Sequence, residues 1–250
     1  MIFVFPMAGE GRRFREAGFT VPKYRLPLNG ATVFDHVVGS FAAYFRDDVF
    51  LFIAPHEEAG FVEARRRALN IDRAHVVTLG QRTGGQADTV LSGLDLRGVA
   101  GGEPVGIFNI DTIRRGYAKP RPMMDPRCDG YLEVFRGEGV HWSFVEPEAG
   151  RPGMVASVVE KRPISEFCCT GFYYFRTAED FRWAYANPAP PRSDSERRER
   201  YVAPLYNALI ARGRQIAFDL IESRDVLFCG TPDEYRQAQA FYAPEDRVCP

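Results

Sequence analysis

A glycine-spaced loop follows the first apolar run of this 250-residue chain: after IFVFP come Met7-Ala8-Gly9-Glu10-Gly11-Arg12-Arg13-Phe14 and then Val21-Pro22-Lys23. Without a Cβ, Gly9 and Gly11 let backbone N–H groups of the loop approach a phosphate closely. Arg13 and Lys23 supply what glycine cannot, mobile positive charge to neutralise a triphosphate and the charge that develops at its α-phosphorus. Glycine turns between a strand and a helix are common, so the two cations and the position after the first strand carry the chemical reading. The loop is neither GxxxxGK[ST] nor a full GxGxxG fingerprint, which removes the main warrant for a P-loop or a dinucleotide site.

Two further groups belong to the same chemistry. Val105-Gly106-Ile107-Phe108-Asn109-Ile110-Asp111 is an apolar run ending on a carboxylate. At the carboxyl end of a strand in an α/β sheet a ligand crevice is expected, and an aspartate there can bind a Mg²⁺ that bridges phosphate oxygens. A turn or helix-cap aspartate is the plain alternative. Thr83-Gly84-Gly85-Gln86-Ala87-Asp88-Thr89-Val90 opens a helical pattern. Gln86 offers a donor and an acceptor, which suits a pyrimidine edge, and its small neighbours leave room for a flat ring. Alternatively Gly84 and Gly85 form a turn, and Asp88 or Thr89 caps the helix.

The elements that must hold these groups follow from periodicity. Strand patterns at 2–6, 49–54, 75–79 and 105–110 alternate with helical patterns at 33–45, 57–69 and 87–94, which predicts βαβ units on a parallel sheet. From Asp129 onward, closely spaced strand patterns at 131–135, 142–145, 154–160 and 171–175 predict antiparallel or mixed pairing. The tail returns to a helix at 201–212, the runs IAFDLI and DVLFCG, and a helix at 232–241. One domain over 1–250 is expected, with a nucleotide-binding half (1–128) and an acceptor-binding half (129–250) on one continuous sheet. Residues 187–200, NPAPPRSDSERRER, read as a solvated loop, with a lid over the site as the competing reading.

Composition bounds the partners. A net charge of -1 gives no reason to wrap a nucleic acid or to lie on an anionic membrane. No stretch approaches the roughly 18 apolar residues of a membrane span, and the first residues lack a basic leader, so a cytoplasmic protein is expected. Five cysteines without CxxC spacing predict reduced, structural thiols; Cys168 and Cys169, inside an aromatic run, read as small core hydrophobes.

The strings AGEGRRF and PKYRLPL resemble the amino-terminal signature of the nucleotidyltransferases that make sugar nucleotides and related activated alcohols. The resemblance implies a single three-layer α/β/α Rossmann-like domain with a mixed, mainly parallel sheet. It implies that Ala8, Gly9, Gly11 and Arg13 wrap the triphosphate, that Lys23 contacts phosphate near the new bond, and that Gly85, Gln86 and Asn109 serve the nucleoside. Asp111 matches the metal aspartate of that family. Glu160-Lys161 and Thr170-Gly171-Phe172-Tyr173-Tyr174-Phe175 are similar to its EK and GxYxF elements, which would place Glu160, Lys161 and Gly171 at the acceptor; a cross-strand salt bridge is the alternative for the first two. Cys229-Gly230-Thr231-Pro232-Asp233-Glu234-Tyr235 looks like the late GTPxDY element, which in relatives follows a second metal aspartate. Here Phe228 holds that position, leaving Asp225, or less well Asp219, as the substitute. Tyr24 and Arg25 replace the small or apolar residues usual after the lysine.

The loop is the shorter AGxGxR form of many cytidylyltransferases, not the AGGxGxR form of hexose 1-phosphate thymidylyltransferases. The implied reaction is Mg²⁺-dependent transfer of a nucleoside monophosphate, from CTP or another pyrimidine triphosphate, to a sugar 1-phosphate or a phosphorylated amino alcohol. Capsule or surface-glycan precursor synthesis is the implied setting, and a homo-oligomer is allowed. A metal-dependent glycosyltransferase would show a DxD pair, whereas Asp111 is followed by Thr112-Ile113. A non-catalytic nucleotide-binding regulator would have less use for Arg13, Lys23 and Asp111.

Overall fold

The computed structural model describes residues 1–242. Its central sheet has nine strands, numbered here in chain order: β1 (Ile2–Pro6), β2 (Val49–Pro55), β3 (Ala74–Leu79), β4 (Val105–Phe108), β5 (Gly130–Arg136), β6 (Ser143–Pro147), β7 (Val155–Glu160), β8 (Phe167–Phe175) and β9 (Ile216–Leu220). Spatial order is β7-β6-β8-β4-β1-β2-β3, with β5 paired to β8 and β9 to β5. The pairings make β1 to β6 and β9 run one way and β7 and β8 the other, a mixed but mainly parallel sheet.

Alternation along the strands divides the core into two layers, one on each face of the sheet. In β1, Phe3 and Phe5 point to one face, where they join Phe50, Phe52, Phe108 and Phe172. Helix α2 (Val33–Gly39) covers that face, held at its start by a capping box in which Thr32 and Asp35 bond each other's backbone N–H. Ile2 and Val4 point to the other face, beneath α4 (Gln86–Arg97), α5 (Ala178–Ala186) and α7 (Tyr206–Ala211). Each fully buried phenylalanine contributes about 1.5–3 kcal/mol. On the first face they also meet at ring distances of 5.2 Å (Phe5–Phe52) and 4.8 Å (Phe3–Phe41).

Strand β8 is the hinge between the parallel part and the rest. Its last residues pair with β4, from Phe172↔Phe108 to Phe175↔Val105, while its first residues run on beyond the end of β4 and meet β6 at Cys168↔Phe144. Gly171 makes the change of neighbour. Its φ of 101° lies in the region side chains avoid, and a Cβ there would stand 2.5 Å from Asn109 Nδ2.

Several elements differ from their sequence patterns. The strand expected over 105–110 stops at Phe108; Asn109 still donates its N–H to Gly171 O across the strands, and the chain then turns, the Thr112 N–H reaching back to Asn109 O at 3.4 Å. The helix expected over 33–45 ends at Gly39, where the Ser40 hydroxyl bonds His36 O, and a 3-10 turn at Ala42–Tyr44 follows. Before α7, Pro204 lies in a 3-10 turn, so the helix expected from 201 begins at Tyr206. The run DVLFCG does not join the central sheet; Val226–Phe228 pairs with Thr112–Arg114 in a separate two-stranded ribbon. Residues 187–200 are not a plain loop, since Asp194–Arg198 form a short helix, α6, with Ser193 accepting the Glu196 N–H. The remaining helices are α1 (Arg12–Glu16), α3 (Ala59–Ala68) and α8 (Pro232–Tyr242).

Cys128, Cys168, Cys169 and Cys229 are buried free thiols, as the sequence suggested; Cys249 lies outside the described residues. Among the described residues no helix is long and apolar enough to cross a membrane.

Replacing Gly171 by alanine forces both a strained φ and a clash with Asn109. Gly171→Ala is expected to lose at least about 2 kcal/mol of stability, read as the shift of the urea midpoint at unchanged slope. An unshifted midpoint would contradict the close approach.

Candidate active site

The glycine loop leaves β1 and enters α1 through Gly11, whose φ of 58° makes it a left-handed cap; its carbonyl accepts the Phe14 and Arg15 N–H groups. Among the described residues, chain neighbours aside, no atom lies within 4 Å of where a Cβ would stand on Gly9 or Gly11, so the loop has an open face. Ala8 is half-buried behind it. Glu10 ties the loop down, pairing with Arg15 at 3.3 Å and with Arg82, just before the Thr83 motif. Arg13 is exposed, takes no carboxylate partner among the described residues, and its charge acts on the Tyr201 phenol.

Lys23 opens a 3-10 turn, Lys23–Arg25, and its ammonium donates to Asp111 Oδ2. Of this turn only the lysine enters the crevice. Tyr24 is buried against Phe61, ring centres 6.0 Å apart, and Arg25 lies 5.0 Å over the same ring and 3.4 Å from Glu58. The two unusual residues after the lysine therefore pack on α3 and leave the site unaltered.

Asp111 follows β4, two residues past Asn109. Its own carbonyl accepts the Cys229 N–H at 2.7 Å, and a Cβ on Gly230 would stand 2.9 Å from its Oδ2 and 3.3 Å from Glu234 Oε2. The late glycine motif thus folds against the aspartate. Its Thr231 and Glu234 form the start of α8: Glu234 Oε2 accepts the Gly230 and Thr231 N–H groups at 2.9 and 2.8 Å, and the Glu234 N–H donates to Thr231. Burial, with Asp111 and Glu234 nearby, pushes the Cys229 thiol up to about 12, so it stays neutral.

The structure does not bring Asp225, the substitute expected for a second metal aspartate, to Asp111. In the ribbon Phe228 faces Thr112 and Val226 faces Arg114, so Asp225 lies beyond the far end, its carbonyl accepting the Arg115 N–H. Four residues of extended chain separate the levels of Asp225 and Asp111, roughly 13 Å. Asp219 is farther off, facing Glu133 across β9 and β5. Phe228 packs between Phe135 and Trp142. Glu234 is a carboxylate that shares the Gly230 backbone with Asp111 and that the sequence reading did not single out; the spacing Thr231-x-x-Glu234 before a helix is a capping-box signal that could have drawn attention to it.

Gln86 and Asn109, read separately as nucleoside contacts, meet: the Gln86 amide donates to Asn109 Oδ1. Gly85 is used differently from expected. The space beside it is filled by the chain itself, since a Cβ there would stand 2.5 Å from Arg200 O. Asp88 and Thr89 do not cap α4. Asp88 accepts from the Tyr185 hydroxyl at 2.7 Å, Thr89 bonds back to Gly85 O, and the Ala87 N–H donates to Arg200 O at 2.9 Å.

Glu160 ends β7 in register with Ser143, whose hydroxyl donates to it. Because Phe144 lies level with Cys168, this carboxyl stands near the level where β4 ends and Asn109 begins. Burial, with the charges of Glu160 and Asp111 adding to it, holds the Tyr173 phenol well above its ordinary value. Burial pushes the Glu160 carboxyl up to about 7, against the pull of the Ser143 hydrogen bond and Lys161 and with repulsion from Glu196 and Glu199. Lys161 has a left-handed backbone, φ 54°, and its ammonium bonds the Tyr201 hydroxyl. The Lys161–Glu160 separation of 3.8 Å is within the same strand end, so the cross-strand salt bridge considered above is not what forms.

The donor set suits Mg²⁺. Asp111 offers hard carboxylate oxygens, its side chain is 17% exposed and ion-paired with Lys23, and Mg²⁺ is commonly held by one or two carboxylates with substrate phosphates completing the shell. Among the described residues no group of three or more histidine, cysteine, aspartate or glutamate side chains could form an all-protein metal cage.

No protein-family model and no curated protein matches the chain. Among solved structures, the nucleoside-diphosphate-sugar pyrophosphorylase from Vibrio cholerae RC9 superimposes with a TM-score of 0.88 at 44% sequence identity, over 96% of this chain and 100% of that one. A UDP-glucose pyrophosphorylase complexed with UDP-glucose shares the fold, with a TM-score of 0.75, 17% identity and 96% and 97% coverage. So does the inositol-1-phosphate CTP transferase from T. maritima, at 0.70, 13%, 98% and 96%.

The raised Glu160 carboxyl has a consequence for stability. The unfolded chain ionises this group near the ordinary value of 4.5, the folded chain only near 7, so its stabilising contribution is complete below pH 4.5 and is lost as pH rises through about 7. Glu160→Gln is expected to match the parent near pH 4.5 and to exceed it at pH 8 by up to about 3 kcal/mol in urea unfolding. A difference independent of pH would contradict the buried, proton-holding carboxyl.

Proposed function

The chain belongs to the nucleoside-triphosphate transferase family that includes the nucleotide-sugar pyrophosphorylases, and from that membership we propose that it joins a nucleoside monophosphate to a small phosphorylated acceptor in the crevice between the glycine loop and β4. The observation that carries this reading is the meeting of Lys23 with Asp111 at the adjoining ends of β1 and β4. Without substrate the two charges offset each other; with a triphosphate between them, each has a separate task.

The open backbone of Ala8 to Gly11 and the Arg13 guanidinium bind the β- and γ-phosphates. Lys23 turns to the α-phosphoryl oxygens, where negative charge builds as the bond to the acceptor forms. An acceptor phosphate oxygen attacks the α-phosphorus in line, the bond from phosphorus to the α,β-bridging oxygen breaks, and its electron pair leaves with pyrophosphate. A Mg²⁺ held by Asp111 and the nucleotide's phosphates would supply Lewis acidity and alignment. Gln86, anchored by Asn109, presents its remaining polar atoms to a base edge, and with the short AGxGxR loop this supports a pyrimidine, CTP first. Glu160 and Lys161 serve the acceptor, the carboxyl facing hydroxyls and the ammonium facing phosphate. A sugar 1-phosphate or a phosphorylated amino alcohol fits that pair, with surface-glycan precursor synthesis in the cytoplasm as the setting. The single Asp111, followed by Thr112-Ile113, gives a glycosyltransferase reading less support.

Pyrophosphate release is measured with CTP, UTP, dTTP and GTP crossed with glucose 1-phosphate, inositol 1-phosphate and phosphoethanolamine. Turnover is expected with CTP, and binding without turnover would favour a regulator. Lys23→Ala and Asp111→Asn are each expected to lower kcat at least about a hundredfold with the fold intact. Chelation of divalent cations is expected to abolish turnover, and persistence of activity without them would overturn the metal role.

A further inference from the structure

The segment Ser193–Tyr201 touches both substrate subsites, with different parts of itself. Its backbone holds the base motif: the Arg200 N–H donates to Gly84 O at 3.2 Å and the Ala87 N–H donates to Arg200 O at 2.9 Å. The Arg200 guanidinium lies 4.5 Å over the Tyr185 ring, on the same side of α4. Its side chains hold the acceptor motif. Glu196 Oε1 accepts the Glu160 N–H at 2.8 Å, the Lys161 ammonium donates to the Tyr201 hydroxyl, and that hydroxyl donates onward to Glu199 Oε2. Lys161 Nζ also stands 4.3 Å over the Tyr201 ring.

We propose that Tyr201 is a positioning residue for the acceptor phosphate, fixing the Lys161 ammonium through its hydroxyl and ring while Glu199 fixes the hydroxyl proton. The inference rests on the acceptor role of Lys161 proposed above and extends it to a residue outside the EK motif. A lysine head on a four-carbon stem has three donors and many rotamers. One donor is spent on Tyr201, and two are left for a phosphate in a fixed direction. The left-handed backbone at Lys161, whose N–H donates to Trp142 O at 2.8 Å, sets the stem on its course toward the tyrosine. Glu199 can only accept, so the phenol hydrogen goes to it and the phenol oxygen is left free to accept from lysine. Since Arg200, the neighbour of Tyr201, is tied to Gly84 and Ala87, the lysine is held in register with the base motif.

Tyr201→Phe keeps the ring and its packing and removes only the hydroxyl. With CTP and whichever of glucose 1-phosphate, inositol 1-phosphate and phosphoethanolamine the parent turns over, acceptor KM is expected to rise about tenfold, the cost of losing a hydrogen bond to a charged group, while the CTP KM stays within about twofold. Glu199→Gln is expected to move the acceptor KM in the same direction by a smaller factor. Equal changes in both KM values, or none in acceptor KM, would overturn the proposal and leave Tyr201 a structural residue. A second measurement needs no turnover: acetylation of Lys161 by acetic anhydride, read by mass spectrometry relative to Lys119 in the substrate-free protein, is expected to rise in Tyr201→Phe. Unchanged labelling would overturn the positioning role, and if the parent releases no pyrophosphate with any pair, the functional reading fails while the labelling still decides on Tyr201.

Discussion

The ion pair of Lys23 and Asp111, 88 residues apart in the chain, is the contact on which the rest of the site depends. Both side chains are largely shielded, 25% and 17% exposed, and each needs an opposite charge to be tolerated there. The sheet supplies the geometry. β1 and β4 are parallel neighbours, so the loop after one and the turn after the other open on the same edge. In the proposed function a triphosphate entering between them replaces one opposite charge by several, so that a pair self-satisfied without substrate would become a phosphate clamp with it.

A second constraint is close approach of backbone. Gly171 allows β8 to pass Asn109, which in turn anchors Gln86, so the amide proposed to read the base is held by the turn that also leads to Asp111. Gly230 allows the start of α8 to lie against the Asp111 carboxylate. Beyond the end of β4, β8 carries on to β6 and so brings Glu160 and Ser143 to the same edge. The residues proposed for nucleotide and acceptor therefore share one sheet edge, joined by Ser193–Tyr201.

The parallel core was legible because each strand is an apolar run bounded by polar helix-forming segments; Lys23 stood out as a cation following the glycine loop and Asp111 as a carboxylate ending an apolar run. What eluded the sequence lacks such a pattern. NPAPPRSDSERRER has almost no apolar residues, yet its end is ordered by backbone bonds to Gly84 and Ala87 and by Glu196, Glu199 and Tyr201, partners that only the fold brings near. The run DVLFCG reads as a sheet strand by hydropathy, and nothing local says that its partner is Thr112–Arg114. Asp225 was chosen by proximity to Phe228 in sequence, but an extended ribbon turns three residues into a long distance. Glu234, the carboxylate that does come near Asp111, was passed over inside a motif read for its glycine.

In the reaction proposed above, Lys23 and Asp111 present charge to the α-phosphorus and the acceptor oxygen attacks it directly, with no protein nucleophile. The stereochemical course at phosphorus tests this most directly, with one diastereomer of cytidine 5′-O-(1-thiotriphosphate) as donor and the product's configuration read by ³¹P NMR. A single in-line displacement predicts inversion. Retention would mean two displacements through a covalent nucleotidyl-protein intermediate and would contradict the role of this crevice.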